Sequence, residues 1–134
     1  MNEEPIQAFP LQWPIGWRRT PPVERTFDKF GTRDRTARVS RELTVAQAVD
    51  RVLRELEQFG VRESDVVIST NVRPTLSGVP RSGEKAPDDP GVAVYWTKRG
   101  QKQRCMATDR YKSVAGNLAA IAAHIDAIRR VDRY

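Results

Sequence analysis

The last third of the chain contains two short strand-like segments around a basic turn, followed by a long apolar periodicity. Residues 92–97 and 103–108 flank the turn 98–102, where Gly100 suits the positive φ of a tight hairpin. Apolar residues then recur at steps of four, three, four and three, at Val114, Leu118, Ile121, Ile125 and Ile128. This spacing predicts a helix over 113–130 that packs on a hairpin.

Alternation divides the first of these strands into two faces. Val92, Val94 and Trp96 lie on one face, whereas Ala93, Tyr95 and Thr97 lie on the other. We therefore expect one face of the sheet to be buried under helices.

A second helix and a further strand precede the hairpin. Thr44 and Gln47 have the spacing of a capping box, and Gly60 supplies a stop, so a helix is predicted over 44–59. The β-branched residues of 65–70 predict a strand that is central or half buried. The order helix-strand-strand-strand-helix predicts an α+β domain over 44–134, with a three-stranded antiparallel sheet packed on two helices.

Residues 1–43 are expected to form an extended N-terminal arm rich in proline and tryptophan. Its prolines fix φ and remove amide donors, and Trp13 and Trp17 favour burial against another surface. We expect either a strap packed on the domain itself or a docking segment for another protein. A short hairpin is predicted within 26–43.

The composition excludes several classes of protein. The 134 residues suit one folded unit, and no stretch approaches the roughly 20 apolar residues of a membrane helix. Glu3 and Glu4 have the wrong charge for a secretory signal, so we expect a soluble, cytoplasmic protein with no membrane partner. A single Cys105 and a single His124 exclude an internal disulfide and a Cys/His zinc site, and we expect no metal or other cofactor.

Positive charge is concentrated near the C-terminus. Residues 91–134 carry nine Lys/Arg against three Asp/Glu, a balance of +6, whereas residues 44–90 carry six against eight, a balance of −2. A basic patch attracts polyanions, which makes nucleic acid the first partner to consider. The alternative is a charged surface that only maintains solubility.

The irregular segment 71–90 is long for a compact domain. We expect it to be either a contact surface or a disordered loop. The helix-strand-strand-strand-helix order resembles the double-stranded-RNA-binding domain, in which the loop after the first strand and the start of the last helix touch the duplex. The nucleic-acid contacts predicted from charge and from this resemblance are Lys98, Arg99, Lys102, Arg104, Arg110, Lys112, Arg73 and Arg81. Stacking on bases is predicted for Tyr95, Trp96 or Tyr111.

The sequence contains no common catalytic motif. Walker, GxGxxG, HExxH and GxSxG patterns do not occur, and His124 lies within the predicted final helix. Asp88, Asp89 and Asp109 offer a candidate Mg²⁺ set for a nuclease, although the segment from Asp88 to Gly91 is also ordinary turn chemistry. An enzyme is therefore the less favoured interpretation.

Several segments together resemble a family of uncharacterised phage and mobile-element proteins known as J-domain-containing proteins. The matching segments are 9–14 (FPLQWP), 17–20 (WRRT), 68–71 (ISTN), 76–80, 87–95, Cys105, 109–111 (DRY) and 119–125 (AAIAAHI). In longer members a J-like module follows this region. The resemblance implies a phage or prophage context, but it implies no activity, and no His-Pro-Asp motif occurs here.

Three functional hypotheses follow. The leading one is a non-catalytic nucleic-acid-binding accessory protein that contacts phosphates through the basic hairpin. The second is a protein-interaction module that uses Trp13, Trp17 or the helix 113–130, either as a homodimer or with a host or phage partner. The third is a Mg²⁺-dependent nuclease.

Overall fold

Two helices and a three-stranded antiparallel sheet form the domain. The computed structural model describes residues 5–28, 31–32 and 41–131. In chain order the elements are β1 (Gly31–Thr32), β2 (Arg41–Glu42), α1 (Val45–Gln58), β3 (Val66–Thr70), β4 (Val92–Trp96), β5 (Arg104–Thr108) and α2 (Val114–Val131). The predicted α+β class, with the order helix-strand-strand-strand-helix from α1 to α2, is confirmed.

Helix α1 begins and ends where the local signals place it. The Gln47 amide donates to Thr44 Oγ1 at 3.1 Å, and the Thr44 amide donates to Gln47 Oε1 at 2.9 Å, which completes the capping box. Gly60 has a φ of 90° just after the helix, a conformation that costs glycine little. The buried face of α1 includes Val52 and Leu56, which are both fully inaccessible.

The sheet has the strand order β3-β4-β5, with β4 in the centre. The strand predicted at 65–70 is present, but of its two expected placements the central one is wrong, because β3 lies at an edge, with two half-buried and three buried residues. Register aligns Ile68 with Val94 and Val94 with Met106 on the inner face, which packs on both helices. The inner face therefore forms the main core.

The N-terminal arm covers the outer face of the sheet, opposite the helices. The Gln12 amide donates to Ser69 Oγ at 2.7 Å, and Tyr95 Oη donates to the Gln12 carbonyl at 2.6 Å. The Thr70 amide donates to the Ala8 carbonyl at 2.9 Å. Ser69 and Tyr95 are consequently buried on this face. Of the two expectations for the arm, these contacts match the strap on its own domain.

Two further segments are held by backbone pairing outside the three-stranded sheet. The antiparallel pair β1–β2 joins Gly31 to Glu42 and Thr32 to Arg41, whereas the residues between these strands lie outside the described part of the chain. Residues 71–90 fold back on themselves, because the Thr75 amide donates to the Val79 carbonyl and the Arg81 amide donates to the Arg73 carbonyl. In the described ranges, neither helix has the length and apolar character that crossing a membrane requires.

Candidate nucleic-acid interface

Three of the predicted cations lie on the turn between β4 and β5, and we call Lys98, Arg99 and Lys102 the turn cluster. The Gln101 amide donates to the Lys98 carbonyl at 2.8 Å, and Gly100 has a φ of 76°, as predicted. Arg99 and Lys102 are exposed, while Lys98 Nζ lies 5.4 Å from the centre of the Phe59 ring. Within the described residues, none of the three forms an ion pair with a carboxylate.

The next three cations flank β5. Arg104 is the first residue of β5, whereas Arg110 and Lys112 follow the strand, and all three are exposed. Lys112 Nζ lies 4.3 Å from the centre of the Phe27 ring, which holds its stem against the arm. The structure thus divides these predicted contacts between the two ends of β5.

Arg73 and Arg81 lie in the folded loop and have partners there. Arg73 forms an exposed ion pair with Glu84 at 3.4 Å, and Arg81 Nε donates to the Pro74 carbonyl at 3.1 Å. Arg81 also lines a cavity of about 170 Å³ together with Lys112 at the start of α2. The structure therefore brings Arg81 towards the C-terminal end of β5, and places neither loop arginine in the turn cluster.

The aromatic residues proposed for base stacking belong mainly to the core. Tyr95 and Trp96 are each only 6% exposed, on the outer and inner faces of β4 respectively. Tyr111 is half buried. Stacking by Tyr95 or Trp96 is incompatible with this burial.

Two acidic residues of the candidate Mg²⁺ set are bound by arginines from the arm, and we call Arg19, Arg25, Asp89 and Asp109 the Arg–Asp cluster. Arg19 bridges Asp109 at 2.7 Å and Asp89 at 2.6 Å. Arg25 lies 3.4 Å from the Asp109 carboxylate, and its Nε donates to the Asp109 carbonyl at 3.0 Å. The side chains of Asp109 and Arg25 are only 3% and 9% exposed. This cluster fastens the arm to the end of β5.

The electrostatics of the Arg–Asp cluster match this structural role. Burial alone would raise the pKa of Asp109, but hydrogen bonds from Arg19 and from the Thr20 amide outweigh it and lower the pKa. The pKa of Asp89 is likewise lowered, because bonds from Arg19 and the Gly91 amide exceed the effect of burial. Both carboxylates are therefore ionised and already hydrogen-bonded at neutral pH.

Cys105 and His124 show no arrangement for nucleophilic catalysis. Burial raises the pKa of the Cys105 thiol to about 11, although a hydrogen bond with Tyr95 acts in the opposite direction. The thiol is thus protonated at neutral pH and a weak nucleophile. His124 is exposed on α2. In the part of the chain that the structure describes, no three His, Cys, Asp or Glu side chains are grouped to hold a metal ion.

Sequence reasoning missed Asn117, which is completely buried near the start of α2. Its Oδ1 accepts from the Tyr111 amide at 2.9 Å, and its Nδ2 donates to the carbonyls of Pro90 and Tyr111 at 2.9 and 3.0 Å. These bonds fix the chain that leads from β5 into α2. The sequence feature that could have indicated its role is its position as a polar residue next to the apolar stripe of an otherwise alanine-rich helix.

Comparison with known protein families, curated proteins and solved structures found no match for this chain.

Proposed function

We propose that the protein is a non-catalytic nucleic-acid-binding accessory protein of a phage or mobile element. Its turn cluster contacts phosphates, and Arg104, Arg110 and Lys112 add charge along and beyond β5. The main support for the proposal is that the cations of the turn cluster are not neutralised within the described part of the domain. Its cations stand on a tight, ordered turn without a carboxylate partner among the described residues. Such cations can bind phosphates, and so release the counterions condensed on them, without first breaking an internal ion pair.

The state of the acidic residues supports binding without catalysis. A nuclease of the kind considered above needs Asp89 and Asp109 as Mg²⁺ ligands, but their oxygens accept hydrogen bonds from Arg19 and from the Thr20 and Gly91 amides. Opening the cluster for a metal would break the contacts of the arm at Arg19 and leave Arg25 buried without its partner. The carboxylates are better explained as structural acceptors.

The test is fluorescence anisotropy with labelled single- and double-stranded DNA and RNA of equal length, at two salt concentrations and with Mg²⁺ present. We expect salt-sensitive binding by the native chain and uncut probes afterwards. In the variant Arg99→Glu/Lys102→Glu, affinity at low salt should fall about tenfold or more. The slope of log affinity against log salt concentration should decrease by the equivalent of about two phosphate contacts.

The matched control is Arg54→Glu/Arg130→Glu, which makes the same change in net charge. Both residues are more than 70% exposed in surface ion pairs on the helices, so their loss costs little stability. Equal loss of affinity in the two variants would mean that binding depends only on the net charge of the protein, which would contradict a localised site. Cleaved probes would favour the nuclease, and no binding at low salt would refute the proposal.

A further inference from the structure

The two edges of the sheet differ in how they are covered. Beside β3, the arm binds Ser69 and Thr70 through Gln12 and Ala8. Strand β5 pairs only with β4 among the described strands, and after its exposed first residue, Arg104, its remaining four residues are all half buried. Just beyond the strand the arm returns, because the Thr26 amide donates to the Arg110 carbonyl at 3.1 Å, so the uncovered edge is confined to residues 104–108. An open edge presents backbone N–H and C=O groups that can pair with another extended chain.

A groove runs between this open edge and helix α2. Two cavities of about 280 and 340 Å³ lie along it and share Met106 in their walls. The first is closed on the helix side by Ile125 and Ile128, and the second by Ile121 and His124. Trp17 of the arm also lines the second cavity. Apolar pockets beside an open strand edge are the arrangement by which domains bind an extended peptide, with the backbone giving affinity and the pockets giving specificity.

The charge of the groove restricts what it binds. Arg104 lines the first cavity and Arg110 lines the second, and neither wall contains an aspartate or a glutamate. The two arginines are six positions apart, roughly 20 Å in an extended chain. A bound segment of about six residues would therefore meet a cation at each end and apolar walls between them.

Other occupants fit this groove less well. A second copy pairing through its own β5 would bring Arg104 and Arg110 of both chains to the same edge, where like charges oppose association. A nucleic acid would satisfy the arginines, but its sugar-phosphate backbone has no repeating N–H donors with which to extend the sheet. An acidic polypeptide satisfies both the charge and the open edge.

We infer that the groove between β5 and α2 binds an extended acidic peptide segment, which adds to the open edge of β5 as a fourth strand along residues 104–108, with the Arg104 side chain at one end and the Arg110 side chain just beyond the other. This partner site is separate from the turn cluster and goes beyond the proposed nucleic-acid binding. Alternate side chains of the segment enter the two cavities, and its acidic residues pair with the arginines at the ends.

The test begins with selection from a random ten-residue peptide library on the purified full chain. Selected peptides are synthesised with a fluorescent label and measured by anisotropy. We expect acidic peptides with apolar residues at alternate positions. Their affinity should fall tenfold or more in Arg104→Glu/Arg110→Glu and remain unchanged in Arg99→Glu/Lys102→Glu. Both arginines are exposed, so the first variant is expected to fold, which circular dichroism checks.

Location is read from amide NMR shifts of the labelled protein on adding the selected peptide. The inference predicts shifts in residues 104–108 and 120–128 and slowed exchange of β5 amides. Enrichment of neutral or basic peptides, no enrichment at all, or shifts confined to other elements would overturn it. So would a concentration-dependent dimer that perturbs β5, or displacement of the peptide by a single-stranded oligonucleotide that shifts the amides of 120–128, which contact with Arg104 and Arg110 alone would not shift. Loss of oligonucleotide binding alone in Arg99→Glu/Lys102→Glu would leave this inference intact while supporting the function proposed above.

Discussion

The Arg–Asp cluster and the turn cluster contain the same kind of side chain in opposite surroundings. In the first, Arg19 and Arg25 are held by Asp89 and Asp109, and together they fasten the arm. In the second, Arg99 has no carboxylate partner among the described residues and stands on a turn in solvent. A count of arginines therefore does not show which cations are available to an anion. What matters is which cations already have an internal partner.

Asp109 is the position at which a substitution should have the largest effect. Replacing it by alanine removes the acceptor of Arg19 and leaves the nearly buried Arg25 without its closest carboxylate, so we expect a loss of about 3 kcal/mol in the free energy of unfolding. Urea denaturation followed by circular dichroism measures it. Asp88→Ala is the matched control, because Asp88 is an exposed neighbour of the same cluster and should leave stability unchanged. Equal stability of the two variants would contradict the structural role of Asp109.

The hydrogen bonds of Asn117 should stabilise the connection from β5 to α2, as the Arg–Asp cluster stabilises the position of the arm. Asn117→Ala leaves the Tyr111 amide and the Pro90 carbonyl without their partner in a buried place, and we expect a loss of about 2 kcal/mol. The same denaturation experiment on His124→Ala, an exposed residue of the same helix, should show no change. A destabilisation as small as that of His124→Ala would mean that these hydrogen bonds are replaceable.

Acid should weaken the Arg–Asp cluster but leave the turn cluster untouched. The pKa values of Asp89 and Asp109 are lowered in the folded state, so their stabilisation is complete above the ordinary carboxylate pKa, near pH 4, and is lost as the pH falls through the folded-state values. The unfolded chain binds these protons first. In unfolding curves recorded between pH 7 and pH 2, the native chain should therefore lose more stability than Asp109→Asn. Parallel curves for the two proteins would contradict the assignment.

Local patterns predicted much of the fold. The capping box of Thr44 and Gln47 and the positive φ of Gly100 were correct because each depends on residues close in sequence. The alternation in β4 also predicted which side chains face the helices. Each of these signals needs only a short window of the chain.

Contacts between distant segments were not predictable in this way. The bond between Gln12 and Ser69 joins residues 57 positions apart, and no local pattern indicates that partnership. From sequence alone, Asp109 after a strand could equally be a metal ligand or a structural acceptor. The structure decides between them, because Arg19 and Arg25 lie beside its carboxylate. The turn cluster could be proposed from charge alone, whereas the groove along β5 required the packing of α2 to be known.

The most direct test of this account measures stability and oligonucleotide affinity together for two single variants, Arg25→Gln and Arg99→Gln. The account predicts that Arg25→Gln lowers the free energy of unfolding by about 2 kcal/mol, since it removes charged hydrogen bonds in a buried place, and leaves affinity unchanged. It predicts that Arg99→Gln leaves stability unchanged and reduces the salt dependence of binding by about one phosphate contact. If Arg99→Gln left binding unchanged, or if Arg25→Gln weakened binding without destabilising the fold, the division between the two clusters would be wrong.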